Sequence, residues 1–204
     1  MFDILMSAIG LVVLSPVIVL LMLIILVTMG WPIFYTPSRI GRHERPFNLI
    51  KFRTMQNAPS VQITHHSGDD DRRITRIGRF MRRSKLDELP QLLNVLLGTM
   101  SLVGPRPETV DYLQYYTEDE RIIFSIRPGI TDYASIEFSD LGSILEGEDP
   151  DKSYFKKVWP RKMGLRMKYV RERSFLGDIK LILLTLKTTT GRKSSRSCDT
   201  SVDD

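Results

Sequence analysis

At 204 residues, 42% hydrophobic and 26% charged, the chain suffices for one domain of catalytic size plus an appendage and is too apolar to be disordered throughout. Its formal net charge is +5, yet no charged residue falls between Asp3 and Arg39, so the basic character belongs to the chain from Arg39 onward. Such a layout favours anionic headgroups, phosphates or nucleic acid as partners, and a single cysteine, Cys198 in a polar tail, excludes an internal disulfide.

The run from Ile4 to Gly30 is apolar throughout. As a straight helix it would be roughly 40 Å long, enough to cross about 30 Å of hydrocarbon. It lacks the basic start, short apolar core and small-residue cleavage site of a secretory signal. Arg39, Arg42, Arg45, Lys51 and Arg53 come after it, and the positive-inside bias puts the main domain in the cytoplasm. Pro16 removes a backbone hydrogen bond in mid-segment, and the Ser15 hydroxyl can hold the resulting bend through a nearby carbonyl. From the residues alone, a kinked span and a helix that re-enters the same leaflet stand level.

Beyond it, "PIFYT" and "FNLIKFRTM" read as short strands around a "RIGRHERP" turn. Residues 56 to 72 read as a polar loop; His65, His66 and Asp69 to Asp71 have the chemistry of metal ligands, but adjacent histidines diverge, and a solvated loop is the better reading. Ile74, Ile77, Phe80 and Met81, then Leu89, Leu92, Leu93 and Leu96, recur at helical spacing and predict two helices meeting near Ser84 to Asp87, with Gly98 ending the second. "PETVDYLQYYTEDERIIFSI" predicts a further helix pair, and "RPGITDYASI" a turn into a short strand. The stretch 150–190 predicts helix broken at Pro160 and Gly177, its part from Phe175 to Leu186 apolar on one side and suited to lie at a membrane surface.

Asp87 and Glu88 stand ahead of Pro90 and an apolar helix. Ser84-Lys85-Leu86-Asp87 is readable as a capping box, or Asp87 as an N-cap, with Pro90 in the tolerated first turn. A carboxylate there would also feel the positive end of the helix dipole, which favours ionisation, and phosphate is drawn to the same place. An ionised Asp beside a second carboxylate able to hold Mg²⁺ suits attack on phosphorus. In Gly104-Pro105-Arg106-Pro107 the prolines stiffen the backbone around a guanidinium whose fork fits phosphate oxygens, although a turn with a solvated Arg has the same sequence. Lys51, Arg53, Arg82 and Arg127 are further candidate phosphate ligands.

Together these residues resemble the bacterial sugar transferase family, the monotopic polyprenyl-phosphate phosphoglycosyltransferases, in their minimal form without the four-span N-terminal extension of some members. The resemblance runs from about Asp3 to Lys187 and rests on Ser15-Pro16, "RIGRHERPFNLIKFRTM", "RSKLDELPQLLNVLLGTMSLVGPRP", "RPGIT" and "RSFLGDIKLI". It implies an α+β, mostly helical fold: a re-entrant membrane helix broken at Ser15-Pro16 (residues 1–30), a compact cytoplasmic catalytic domain with a short β-hairpin and interfacial amphipathic helices (31–190), and a polar, disordered tail (191–204). Asp87 would be the nucleophile on a UDP-sugar, expelling UMP and carrying the sugar phosphate to polyprenyl (undecaprenyl) phosphate, with Glu88 binding Mg²⁺. Arg106 would hold phosphate, Lys51, Arg82 and Arg127 would line the site, and Asp178 would play a supporting role. The enzyme would lie at the bacterial inner membrane and open polysaccharide or glycoprotein assembly for downstream glycosyltransferases, with N-acetylated amino-sugars favoured by sub-group similarity.

The chain departs from the commonest family pattern twice. Many members have Gly where Asp132 opens the stretch to Ser139, and many have an acidic residue where Arg166 precedes Tyr169. Two rivals keep part of the reading: direct transfer in a ternary complex with Asp87 as base, and a non-enzymatic, membrane-tethered basic module. The cations do not interleave with aromatics as in a nucleic-acid platform, so nucleic acid is not an expected partner.

Overall fold

A computed structural model describes residues 1–56, 73–138 and 154–190. His65, His66, Asp69 to Asp71, Ser139 and the tail with Cys198 lie outside the described residues. The fold is mostly helical with a few short strands. Helix α1 (Phe2–Met29) is followed by β1 (Phe34–Tyr35), β2 (Ser38–Ile40), β3 (Pro46–Asn48) and β4 (Lys51–Phe52). Helix α2 (Arg76–Arg83), a 3₁₀ turn at Leu86–Glu88, α3 (Gln91–Leu96) and β5 (Ser101–Val103) come next. Two 3₁₀ segments (Val110–Tyr115, Glu120–Ser125), β6 (Gly129–Thr131) and α4 (Tyr133–Glu137) lead to a π-helical turn that runs into α5 (Trp159–Glu172), and α6 (Phe175–Thr190) ends the described chain.

Helix α1 is long and apolar enough to cross a membrane and is little buried by the rest of the protein. Pro16 sits inside one continuous helical element, and the Ser15 hydroxyl donates to the Val12 carbonyl at 2.7 Å. Both ends of α1 are fixed to the same domain. At the start, Asp3 accepts a 2.7 Å hydrogen bond from Ser101 of β5, and the Phe2 ring meets Phe175 of α6 edge-on, centroids 5.1 Å apart. At the other end, Leu21 and Ile25 are buried against Ile33, Phe52 and Met81. The stretch between carries the exposed Val12, Val13, Val19 and Leu20.

The expected hairpin is a nested pair: β1 pairs antiparallel with β4, and β2 with β3, with Ile40 opposite Pro46. The two helices of the 74–97 region form as expected, and Gly98 adopts φ +77°, where a side chain would be strained. Three expectations are corrected and one is narrowed. The 108–126 region forms 3₁₀ segments, because its apolar side chains need bury only one short face each. In "RPGITDYASI" the expected short strand forms as β6 but stops at Thr131, and "DYASI" turns into helix α4: the Asp132 side chain accepts from the Ser135 amide at 2.6 Å and caps it. Pro160 lies in the first turn of α5, where it is tolerated, and does not break it. The last break falls at 173–174, with Gly177 inside α6.

The aromatic core, Tyr112, Tyr116, Phe124, Tyr154 and Trp159, packs α5 against the 3₁₀ segments. A three-residue parallel pairing of β5 with β6, register Ser101 to Gly129, brings the segment after β5 alongside residues far along the chain. Gly104 and Gly129 make this possible: a Cβ on Gly129 would sit 2.1 Å from the Gly104 nitrogen.

Candidate active site

Asp87 and Glu88 occupy the 3₁₀ turn, entered through Lys85 at φ +58°. The capping box does not form. The Ser84 hydroxyl donates back to the Phe80 carbonyl at 2.8 Å, closing α2 instead, and α3 begins at Pro90 without a side-chain cap. With α3 only six residues long, its dipole does not decide the state of Asp87. Burial does: Asp87 is 6% exposed. Burial, then the neighbouring Glu88, push its carboxyl above the usual range, while Lys51, Arg82 and Arg106 pull the other way. Its Oδ1 is buried with no hydrogen-bond partner among the described residues.

Glu88 and Arg106 hold each other. The guanidinium grips both carboxylate oxygens, Nη1 to Oε2 at 3.0 Å and Nη2 to Oε1, the fork geometry that makes such pairs strong. Burial works against ionisation of Glu88, but Arg106 outweighs it and holds the carboxyl below the usual range. Glu88 in turn raises Arg106 above its ordinary pKa. The carboxylate pair is therefore turned inward and within a side chain's reach of Arg106, as the chemistry requires.

Lys51 of β4 supplies a cation beside Asp87; burial pulls its pKa down to about 8 while Asp87 resists. Its ammonium also lies over the Tyr35 ring, 5.4 Å from the centroid. Arg82 of α2 donates from Nε to the Thr54 hydroxyl at 2.9 Å and acts on Asp87. Arg53 does not join them. It is 8% exposed and turns toward the end of α1, donating to the carbonyls of Met29, Gly30 (2.6 Å) and Trp31 (3.4 Å). Arg127 lies against the reversal at Gly98, its Nη2 3.9 Å from a Cβ built there, and is not among the charges acting most strongly on Asp87. Asp178 accepts a 2.8 Å hydrogen bond from the Tyr169 hydroxyl, which is also 3.2 Å from the Val103 carbonyl. It thus steadies β5, two residues from Pro105, from a distance.

Arg39 was legible only as an orientation charge, yet it lies at the site. Burial, countered by Glu108 and reinforced by Arg106, lowers its pKa. Its place in β2, bridged to Thr109 two residues past Pro107, carries it there; an Arg inside a short strand gives no local signal of that. Lys51, Arg82 and Arg106 thus gather positive charge beside the two carboxylates, and Arg39 acts on Lys51, a charge pattern suited to a phosphate. Among the described residues no three His, Cys, Asp or Glu side chains gather into a metal cage. Mg²⁺ needs only one or two protein carboxylates, however, and the unpartnered Asp87 Oδ1 next to Glu88 fits that donor set.

A family model described as bacterial sugar transferase matches residues 1–192. The chain is 37% identical over 173 residues to the uncharacterized sugar transferase EpsL of Bacillus subtilis, covering 85% of this chain and 77% of that protein. It is 32% identical over 187 residues to UDP-glucose:undecaprenyl-phosphate glucose-1-phosphate transferase of Escherichia coli, covering 90% of this chain but 38% of that one. With the undecaprenyl-phosphate glucose phosphotransferase of Komagataeibacter xylinus it shares 36% identity over 193 residues, 91% of this chain and 34% of the relative. The chain thus spans well under half the length of these last two relatives. A match over nearly every residue, together with an inward-facing Asp-Glu pair bonded to the Pro-Arg-Pro arginine, means that the chain belongs to the bacterial sugar transferase family.

Proposed function

We propose that the protein transfers a sugar 1-phosphate from a UDP-sugar to polyprenyl (undecaprenyl) phosphate, releasing UMP through a covalent phospho-sugar on Asp87. The observation that carries this is the buried Asp87 carboxylate, one oxygen unpartnered, facing the charges of Lys51, Arg82 and Arg106. The named relatives act on UDP-glucose or undecaprenyl phosphate, the donor and acceptor classes that such a pocket fits.

In the first step an Asp87 oxygen forms a bond to the β-phosphorus. The bond from that phosphorus to the oxygen bridging to the α-phosphorus breaks, and its electrons leave with UMP. In the second, an oxygen of polyprenyl phosphate attacks the same phosphorus, and the Asp87 carboxylate departs, leaving polyprenyl-diphospho-sugar. Both substrates are anions and take the basic pocket in turn. Lys51, Arg82 and Arg106 hold the non-bridging oxygens and balance charge as the bonds exchange. Asp87 and Glu88 are the residues that would hold Mg²⁺, which supplies positive charge against the repulsion between carboxylate and phosphate.

The membrane geometry suits the lipid substrate. A straight α1 crossing about 30 Å of hydrocarbon would part its two ends, whereas Asp3 and Met29 are each bonded to the same domain. Those contacts, the Ser15–Val12 bond at Pro16 and the exposed middle stretch support a re-entrant helix with both ends cytoplasmic. The active site would then stand at headgroup depth on the inner membrane, where the phosphate of a polyprenol lies.

The test is UMP release with Mg²⁺ and undecaprenyl phosphate in detergent, over a UDP-sugar panel that includes glucose and N-acetylated amino-sugars. Asp87→Asn is expected to abolish turnover, and wild-type protein without acceptor to gain the mass of a sugar phosphate on the peptide carrying Asp87. Full activity in Asp87→Asn ends the nucleophile assignment; turnover with no adduct under rapid quench favours direct transfer.

A further inference from the structure

The two positions that depart from the commonest family pattern, Asp132 and Arg166, meet in the structure. Arg166 Nε is 3.4 Å from Asp132 Oδ2, and the two side chains are 1% exposed each. They come from β6's exit and from α5, elements with nothing in common in the sequence. The same Asp132 Oδ2 accepts the backbone amide of Arg106 at 3.2 Å. Between Gly104 and Glu108 that is the one amide available, since Pro105 and Pro107 have none. The rest of the segment is stitched to β6 through Gly104 N to Thr131 O at 2.9 Å and Gly129 N to Pro105 O at 3.1 Å.

Arg166 also pairs with Glu108 at 2.9 Å, and Glu108 with Lys162 at 2.6 Å. Arg166 and Asp132 are taken out of water and Glu108 and Lys162 nearly so, and buried charge survives only if paired, so the four groups depend on one another. Nothing in the phosphoryl chemistry uses it directly. It meets Arg106 at the backbone amide, whereas the guanidinium is bonded to Glu88 and, at 3.4 Å, to the Ile130 carbonyl.

We infer that Asp132 and Arg166 are a positioning pair for Arg106: Asp132 fixes the Arg106 backbone, Arg166 fixes Asp132, and the guanidinium is thereby aimed at Glu88 and at the substrate diphosphate. This rests on the sugar-phosphate transfer proposed above. A misaimed guanidinium loses the bidentate geometry on which phosphate recognition depends.

A double-mutant cycle on the full chain in detergent tests this, with Mg²⁺ and uridine diphosphate as the binding probe. Asp132→Ala is expected to weaken the probe's Kd about tenfold in the otherwise wild-type chain. In an Arg106→Gln background the same substitution should weaken it by no more than about twofold, because a positioning residue has nothing left to position. Equal weakening in both backgrounds, or none in either, overturns the inference. If Asp132→Ala does not fold, Arg166→Lys carries the same cycle with the same outcomes. Wild-type protein that neither binds the probe nor releases UMP from any UDP-sugar defeats the transfer reading itself, a result distinct from failure of the cycle alone.

Discussion

Replacing Arg53 by alanine removes the cation that closes the membrane helix. Three consecutive carbonyls, Met29, Gly30 and Trp31, accept from one guanidinium that is 8% exposed. Hydrogen bonds to a charged group contribute about 1.5–3 kcal/mol each, but three that share one donor group do not add. A cation at a partly buried helix C-terminus is worth up to about 2 kcal/mol besides. The net loss is then about 2–4 kcal/mol, which in a chain of this size lowers the melting temperature by roughly 5–15 °C. Trp31 is 78% exposed at the clamp itself, so its fluorescence reports detachment of the helix end. Arg53→Lys, with a single point charge, should recover about half of the loss. If Arg53 bound phosphate instead, Arg53→Lys would raise the KM for the UDP-sugar while sparing the melting temperature. That result, or an Arg53→Ala protein as stable as the wild type, would refute the clamp.

Close contacts and buried charge give two further expected outcomes. A Cβ on Gly78 would lie 2.1 Å from the Thr54 carbonyl oxygen, so Gly78→Ala must push α2 off the segment that follows β4, at about 1–3 kcal/mol; because α2 carries Arg82, UMP release should fall along with the melting temperature, and an alanine variant matching wild type in both would show the approach is loose. For Glu108, burial opposes ionisation but Lys162 and Arg166 outweigh it, holding the carboxyl well below its unfolded value. Its contribution to stability is thus present above about pH 4.3, the unfolded pKa, and is lost as pH falls through the lower folded pKa. The destabilisation of Glu108→Gln relative to wild type, followed by denaturant unfolding, should be full at neutral pH and shrink progressively in acid; a difference that stays constant from neutral pH into strong acid would contradict the pairing.

The parts legible in the sequence are those whose cause is local. The apolar run of α1 and the spacing of Ile74, Ile77 and Met81 announce helices, and Gly98 marks a chain reversal that φ +77° bears out. The Asp-Glu doublet and the proline-flanked arginine were visible because adjacent carboxylates and a stiffened guanidinium are residue types suited to phosphate chemistry. What escaped depends on distant partners. Residues spaced for a helix are equally spaced for a 3₁₀ turn, and only packing on Trp159 and its neighbours chooses between them at Tyr112 and Tyr116. The short strand legible in "RPGITDYASI" ends at Thr131, because the Asp132 cap starts a helix there. Lys51 and Arg53 are two residues apart and would share a face in a strand. Because β4 ends at Phe52, they part, one to Asp87 and the other to α1.

That parting ties the site to α1. The backbone between Lys51 and Arg53 is too short to absorb relative movement: about 3.3 Å of rise separates successive residues in a strand. Arg53 is held to the last carbonyls of α1, and Thr54 anchors both Thr75 and Arg82 of the α2 side. The position of α1 therefore sets the position of Lys51 and Arg82, and with them the Asp87 carboxylate they flank. On the far side Arg106 is tied through Asp132 to α5, and Phe175 of α6 touches Phe2 at the start of α1. The two sides of the site are thus referred to opposite ends of α1.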